Sequence, residues 1–278
     1  MLLTKSIKYI ITLLLLTLSF SLVSCNFIGN IKNENNYFSS IKSKGIDEIN
    51  MQNIRDKSFK FLVSDEKSIQ NIYSLLVNAK QSTVRSDVEP DYIVEIVFGD
   101  EIKQFNYIVG DYEGNFYNDE VSFTISKRLD ESIIQNLTII RKPRDFEYIY
   151  YNSIYDVLEK LSNEVNISNL KVGIDIKEDK DCLKYVFSKD IINFLDKSKK
   201  IAKDIKIIND NNENDFDIIL SVKNRGYNTT KYKSNITIED KVNKTERYYY
   251  IYGENEYKEW KIDVYTKENL PKDIEKNW

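Results

Sequence analysis

The chain of 278 residues carries 40 Lys and Arg residues against 44 Asp and Glu residues, and it contains no histidine. The net charge of -4 excludes the concentrated basic surface that nucleic-acid binding requires. The lack of histidine excludes Ser-His-Asp and Cys-His catalysis and His-ligated zinc sites, and the scattered glycines form no phosphate-binding loop. We therefore expect no cofactor and no nucleic-acid partner.

The first residues have the layout of a signal peptide. Lys5 and Lys8 supply positive charge, and the residues 9–23 that follow carry no charge at all. This apolar stretch, at about 15 residues, is shorter than the about 20 residues that a membrane-spanning helix needs. The layout therefore predicts export of the chain rather than a permanent transmembrane helix.

The motif Leu22-Val23-Ser24-Cys25 at the end of this stretch resembles the lipobox of bacterial lipoproteins. That resemblance implies that signal peptidase II cuts before Cys25 and that the Cys25 thiol carries a diacylglyceryl group. Two acyl chains give stable membrane attachment, whereas one chain gives only reversible binding. We therefore expect a lipid anchor at the extracytoplasmic face of the cell membrane. The alternative is an ordinary secretory signal in which a cysteine falls at the cleavage site by chance.

Changes in composition divide the chain into four segments. Residues 1–24 are the predicted signal peptide. Residues 25–50 are rich in Asn, Ser, Lys and Ile with little periodicity, which predicts a flexible tether. The rest of the chain is long enough for two small domains, which we place at residues 51–142 and 143–278.

The first predicted domain has the element order β-α-β-β-β-α. Its helix opens with acidic residues after Ser64 and continues with apolar residues at helical spacing. Turn residues separate the strands that follow. The predicted elements are a strand at 58–63, a helix at 64–79, hairpin strands at 92–98 and 102–109, a strand at 116–125 and a helix at 129–137.

The second predicted domain shows a similar pattern. The segments that begin at Asp91 and Asp215 align, which indicates an internal repeat, with chance patterning as the alternative. The predicted elements are a helix at 146–161, a strand at 183–187, a helix from 188 to 205 and strands at 216–222, 234–239, 248–252 and 260–266. The predicted fold class is α+β, with two small domains that each pack a mostly antiparallel sheet against one or two helices.

Residues 46–140 resemble the YhfM-like domain found in lipoproteins of Bacillus and Clostridium relatives. The resemblance rests on turn and strand motifs, namely Glu89-Pro90-Asp91-Tyr92, Phe98-Gly99-Asp100, Tyr107-Ile108-Val109-Gly110-Asp111, Gly114-Asn115-Phe116-Tyr117 and Ser126-Lys127-Arg128-Leu129-Asp130. It covers well under half of the chain. It implies an extracytoplasmic lipoprotein and no particular chemistry, because that family brings no established activity.

One loop is a weak candidate for a calcium site. Asp111, Glu113, Asn115 and Asp119 offer the oxygen atoms that calcium prefers. Their spacing does not match an EF-hand, because Gly114 stands at the fourth position of the loop instead of the sixth. An ordinary polar hairpin turn is therefore the stronger interpretation.

Cys182 has no disulfide partner if Cys25 carries lipid, because the chain contains only these two cysteines. No histidine is present to activate the Cys182 thiol, and its neighbours form an apolar, strand-like run. This context predicts a buried structural thiol.

Tyrosine occurs 20 times in the chain, and one dense run lies at 248–252. Alternate residues of a strand point to opposite faces, so Tyr248, Tyr250 and Tyr252 are expected to share one face. If the face with Tyr249 and Ile251 is core, the three phenol rings line the surface. They are then a candidate contact for sugars or for a protein partner. The alternative is a sheet face covered by a helix.

These features lead to three functional hypotheses. We expect a non-enzymatic, membrane-anchored lipoprotein of a Gram-positive-type bacterium that binds or positions another envelope protein or a cell-wall component. The second hypothesis is capture of a small soluble or carbohydrate ligand in a pocket between the domains, lined by aromatic residues. The third is hydrolysis by carboxyl groups in a cleft, one of them with a raised pKa.

Overall fold

The computed structural model describes residues 35–42, 45–125, 129–134, 142–209, 212 and 214–275, which form two α+β units, each built on its own sheet. The predicted fold class is confirmed. The predicted signal peptide, Cys25 and the start of the predicted tether lie outside the described residues. Within the described ranges, no helix is long and apolar enough to cross a membrane.

The first unit is a sheet in the order β2-β1-β4-β5-β6-β7-β3, in which every neighbouring pair is antiparallel. Its elements are α1 (Asn36–Lys42), β1 (Glu48–Asn53), β2 (Lys60–Val63), α2 (Glu66–Val77), β3 (Lys80–Ser82), β4 (Tyr92–Phe98), β5 (Glu101–Tyr107), β6 (Phe116–Tyr117), β7 (Ser122–Thr124) and α3 (Leu129–Ile134). Every second side chain of β4 is buried, so one face of the sheet lines the core. Apolar residues of α1 and α2 belong to the same core.

Helix α1 corrects the predicted tether. Its Phe38 and Ile41 side chains are buried in the core of the first unit, and the Phe38 ring lies 4.8 Å from the Phe123 ring. Strand β1, which begins inside the predicted tether, pairs with both β2 and β4. The tether prediction was wrong for residues 35–42 and 45–50, because two apolar residues one helical turn apart are too few to stand out in a polar segment.

The predicted strand at 116–125 is two short strands, β6 and β7, joined by a turn. The Asn118 side-chain oxygen accepts hydrogen bonds from the backbone N–H groups of Glu120 and Val121. Asparagine commonly closes a turn in this way. The chain therefore reverses, and β6 and β7 pair antiparallel. In the predicted helix at 129–137, the last three residues lie outside the described part of the chain.

The second unit is a sheet in the order β13-β12-β11-β10-β8-β9. Its elements are α4 (Phe146–Glu164), β8 (Lys171–Asp175), α5 (Lys180–Leu183), α6 (Ser188–Ser198), β9 (Asp204–Ile207), β10 (Ile218–Tyr227), β11 (Lys231–Asp240), β12 (Thr245–Glu256), β13 (Glu259–Tyr265) and α7 (Lys272–Glu275). Strand β8 runs parallel to β9 and β10, and the other neighbours are antiparallel. Helices α5 and α6 form the crossover that two adjacent parallel strands require.

The two sheets do not share one topology, so the structure does not support an internal repeat. Strand β4 lies between two antiparallel neighbours, β1 and β5. Strand β10, its counterpart in the pattern alignment, lies between antiparallel β11 and parallel β8. The similar patterns reflect the alternation that half-buried strands have in general.

Helix α4 packs across one face of the second sheet, and it confirms the predicted helix at 146–161. Val157 and Leu158 are buried there, at the helical spacing that the sequence predicts. Gly253 of β12 permits the close approach, because a Cβ atom at this position would lie 2.6 Å from the Cδ1 atom of Ile149. We call the side of the sheet that contacts α4 the covered face.

The run at 183–187 is not the predicted strand, because it comprises the end of α5 and the turn that leads into α6. Its Phe187 packs in the core of the first unit, with its ring 6.3 Å from the Tyr92 ring. A short apolar run has the same composition in a buried connection as in a strand, so the pattern alone was ambiguous. Helix α6 ends at Ser198, before several residues that were predicted to extend it.

Asp179 is a buried carboxyl group in the second unit, 1% exposed. Its Oδ1 atom accepts a 2.8 Å hydrogen bond from the backbone N–H of Asn224. Burial raises the pKa of Asp179 to about 6, because the ionised form loses hydration, although the bond from Asn224 opposes this shift. In an unfolded chain the pKa is about 3.9. The folded state therefore binds this proton more tightly than the unfolded state.

We expect Asp179 to make the folded state less stable as the pH rises. Its stabilising contribution is complete below about pH 4 and is lost as the pH rises through the folded pKa of about 6. Asp179→Asn keeps the acceptor for Asn224 and cannot ionise. The variant should match the wild type near about pH 4 and exceed it by about 2 kcal/mol near about pH 7.5. Urea unfolding at both pH values measures this difference, with the exposed Asp215→Asn as control. An equal difference at both pH values would contradict the argument.

Candidate functional site

The predicted tyrosine run lies on β12 with the expected alternation. Tyr249 and Ile251 are buried on the covered face. Tyr248, Tyr250 and Tyr252 point the other way, where Tyr248 is 52% exposed and the other two are half-buried. The condition stated for a surface role, that the Ile251 side is core, is met. The role of the three phenol rings remains a prediction.

Strand β13 widens this surface, because its Tyr265 pairs directly with Tyr250. On the other side of Tyr250, strand β11 places the amide of Asn235. We call the surface formed by Tyr248, Tyr250, Tyr252 and Tyr265 the tyrosine face. It combines aromatic rings with hydroxyl and amide groups on an open sheet face, since antiparallel sheets commonly leave one face in solvent.

Charged residues beside the tyrosine face pair with each other. The Lys231 ammonium lies 3.3 Å from the Glu254 carboxylate, and the Lys261 ammonium lies 3.2 Å from the Asp263 carboxylate. Hydrogen bonds to the Tyr252 phenol and the Glu254 carboxylate raise the pKa of Lys231. The surface around the rings therefore carries charges of both signs in neighbouring pairs.

A buried ion pair of the first unit lies where the two units meet, and both of its members bond to the second unit. Asp91, directly before β4, is 0% exposed. Its Oδ1 atom accepts a 2.6 Å hydrogen bond from Arg55 Nη1 and a 2.8 Å bond from the backbone N–H of Ser188. Its Oδ2 atom accepts a 2.8 Å bond from the backbone N–H of Val109. We call Asp91, Arg55, Ser188 and Val109 the Asp91 junction.

The Asp91 junction places a carboxylate of the first unit at the start of a helix of the second unit. Ser188 is the first residue of α6. The side chain at the N-cap position, Phe187, accepts no hydrogen bond from the backbone N–H groups at this end of the helix. A negative charge is favourable at that end because the helix dipole is positive there. Arg55 also donates to the Ser188 hydroxyl and to the Val186 carbonyl. Burial raises the pKa of the Asp91 carboxyl, while the guanidinium and the backbone N–H groups oppose the shift.

A cleft of about 720 Å³ lies beside the Asp91 junction, with walls from both units. We call it the interunit cleft. Its apolar lining includes Ile54 and Val88 of the first unit and Ile176, Ile191, Leu195 and Ile208 of the second. The position matches the second hypothesis, but the predicted aromatic lining was wrong for the described residues. The lining is aliphatic because α6 and the ends of β8 and β9 contribute isoleucine and leucine side chains.

The loop with the four predicted calcium ligands does not gather their side chains. The Asp111 carboxylate lies 3.5 Å from the Lys189 ammonium, and the buried Asn115 side chain bonds to the backbone beyond β7. Glu113 and Asp119 are exposed. Across the described ranges, no three His, Cys, Asp or Glu side chains form a group that could hold a metal ion. The calcium interpretation therefore gains no support.

The Cys182 thiol and two carboxyl groups with raised pKa values are buried. Cys182 is buried as predicted, and burial raises the pKa of its thiol, which disfavours the reactive thiolate. Burial also raises the pKa values of the Asp91 and Asp179 carboxyl groups, and neither side chain reaches solvent. These carboxyl groups therefore do not support the hydrolase hypothesis.

The sequence did not predict the Asp91 junction or the lining of the interunit cleft. Arg55 and Ser188 lie 36 and 97 positions from Asp91, and no local pattern connects such distant residues. The one available signal was Asp91 itself. An acidic residue that opens a strongly apolar strand requires a partner if it is buried.

Residues 42–143 match the family model described as YhfM protein, which spans less than half of the chain. The range contains all strands of the first sheet, so the first unit is a YhfM-like domain. This agrees with the resemblance seen in the turn motifs. No curated protein and no solved structure matches the chain.

We expect removal of the Asp91 carboxylate to destabilise the protein strongly. Asp91→Ala leaves the Arg55 guanidinium, 12% exposed, without its main partner, and an unpaired buried charge costs about 3–5 kcal/mol. Urea unfolding measures the loss. Hydrogen exchange at the Ser188 amide should also become faster, because its acceptor is gone.

Glu89→Ala is the matched control for this experiment. Glu89 also contacts Arg55, at 3.7 Å, but it is 73% exposed. Water screens this pair, so its removal should have a much smaller effect. Similar losses for the two variants would contradict the role assigned to Asp91.

Proposed function

We propose that this chain is an extracytoplasmic lipoprotein that binds or positions another component of the cell envelope, without catalysing a reaction. The proposal places a diacylglyceryl group on Cys25, which holds the protein at the membrane. The signal-peptide layout and the motif at Leu22-Val23-Ser24-Cys25 support this anchoring. The resemblance of the turn motifs in the first unit to a domain found in bacterial lipoproteins supports it further, and the same region matches the YhfM family model.

The observation that carries the binding role is the tyrosine face. Four tyrosine rings lie together on an open sheet surface, and Tyr248 exposes half of its side chain to solvent. Tyrosine provides a large contact area with little loss of side-chain freedom, and it combines an apolar ring with a polar hydroxyl group. An open sheet surface of this kind suits an extended partner, such as a cell-wall polymer or another envelope protein, better than a small molecule.

Lipid attachment is tested by Cys25→Ala in the full chain. Labelled fatty acid supplied to the expressing cells should enter the wild-type protein and be absent from the variant. The signal should also remain uncleaved in the variant, which mass spectrometry detects. Cys182→Ala is the control, because that buried thiol has no role in the anchor. Equal label in wild type and Cys25→Ala would overturn the lipoprotein proposal.

The tyrosine face is tested by the triple variant Tyr248→Ser, Tyr250→Ser, Tyr252→Ser. We expect at least about tenfold weaker co-sedimentation with purified cell-wall sacculi or with wall-depleted envelope membranes, because the stacking area is lost. Both fractions are assayed, so the result also separates a wall polymer from a membrane protein as partner.

A triple variant of other exposed tyrosines is the matched control. Tyr112→Ser, Tyr148→Ser, Tyr257→Ser removes the same number of phenol rings, all of them at least half exposed and none of them on the tyrosine face; Tyr257 lies in the turn that follows β12. Melting temperatures verify that both variants are folded. Equal binding by the two triple variants would show that the tyrosine face is not the binding surface.

The second candidate function is capture of a ligand between the two units. The interunit cleft favours it, because its volume of about 720 Å³ falls within the range of small-molecule sites. Its aliphatic lining disfavours the carbohydrate version of this hypothesis, since sugars stack on aromatic rings. The two candidate functions use different surfaces, so one protein can have both.

A further inference from the structure

The interunit cleft lies at the carboxyl ends of two parallel strands. Ile176 and Lys177 follow β8, Ile208 and Asn209 follow β9, and all four residues line the cleft. Ligands of open α/β sheets bind in the crevice at this edge of parallel strands, because the connecting chain turns away there. The position of the cleft in the topology is therefore an argument for a ligand site that is independent of its volume.

The walls of the interunit cleft are aliphatic. Helix α6 contributes Ile191, Ile192 and Leu195, and the first unit contributes Ile54 and Val88. Branched aliphatic side chains offer dispersion contacts along their whole surface, and no aromatic ring lines the described cleft to select a planar ligand. This lining is complementary to a flexible hydrocarbon chain.

The polar residues of the interunit cleft carry both signs of charge. Arg55 and Lys177 are cationic, and Asp87 and Glu89 are anionic. The Arg55 guanidinium is already bonded to Asp91 and to the Ser188 hydroxyl. These charges offset each other, so they select no strongly charged ligand. They fit the polar end of a molecule whose apolar part provides most of the binding energy.

We propose that the interunit cleft binds the aliphatic chain of a single-chain amphipathic lipid, with the polar head of the lipid at the solvent-facing rim. This inference rests on the second candidate function, whose ligand class it names, and it does not depend on the tyrosine face. Burial of the chain between the two units removes apolar surface of both ligand and protein from water. The lipid would therefore also stabilise the contact between the units.

Photo-crosslinking of the full chain in lipid nanodiscs tests this inference. The probe is palmitate that carries a diazirine in its chain, and peptide mass spectrometry locates the adducts after illumination. We expect adducts on α6 and on the residues that follow β8 and β9. The nanodisc lipids compete with the probe for binding to the protein. Nonspecific adducts that form at the bilayer are recorded in the same experiment.

The double variant Val88→Trp, Ile192→Trp fills the interunit cleft from both walls. Ile192 is 39% exposed, so the larger side chain is tolerated without repacking the core. The adduct yield in the cleft should fall at least about fivefold. Val242→Trp, on the exposed turn between β11 and β12, is the matched control and should leave the yield unchanged. Ile192→Asp, which places a charge in the apolar wall, should lower the yield as well.

Other outcomes would overturn the inference. Adducts confined to other surfaces, no adducts at all, or equal cleft yields in the filled variant and the control each exclude an acyl-chain site in the interunit cleft. The tyrosine-face triple variant should retain the cleft adducts. If that variant loses envelope binding but keeps the cleft adducts, the two functions are separate. Either proposal can therefore be wrong without the other.

Discussion

The buried carboxylate of Asp91 lies where the two units meet and bonds to both of them. Moving a charge out of water costs several kcal/mol unless other groups replace the hydration. Here the replacements come from three separate segments of the chain, at Arg55, Val109 and Ser188. Arg55 and Val109 belong to the same unit as Asp91, and only Ser188 belongs to the second unit, so the hydration of the carboxylate is fully replaced only when the units are docked. A buried ion pair adds little net stability compared with an apolar pair, but it penalises every arrangement that leaves the charge without partners.

The shape of the interunit cleft follows from this constraint. Asp91 bonds to the first residue of α6, so it positions the helix that forms one wall of the cleft. Arg55, from the turn between β1 and β2, belongs both to the junction and to the opposite wall. Phe187 packs into the core of the first unit directly before α6. The same short segment of the second unit therefore carries the docking contacts and begins the cleft lining.

The features that the sequence predicted are those that depend on near neighbours in the chain. The alternation from Tyr248 to Tyr252 follows from the period of a strand, and the buried stripe of α4 follows from the period of a helix. The Asp91 junction depends on residues far apart in the chain, and one sequence does not contain that information. The predictions for the run at 183–187 and for the segment of helix α1 were wrong for a different reason. Their few apolar residues are compatible with several local structures, and tertiary packing decides between them.

The tyrosine face and the interunit cleft lie at opposite edges of the second sheet. Strand β12 carries most of the tyrosine face, and the cleft lies at β8 and β9, with β12 and β9 separated by β11, β10 and β8. Four strand spacings correspond to roughly 19 Å. Substitutions this far apart without shared partners act independently. An extended partner on the tyrosine face therefore leaves the mouth of the cleft accessible, and a chain held in the cleft leaves the phenol rings free. This separation would allow the protein to hold the proposed lipid and the proposed envelope partner at the same time.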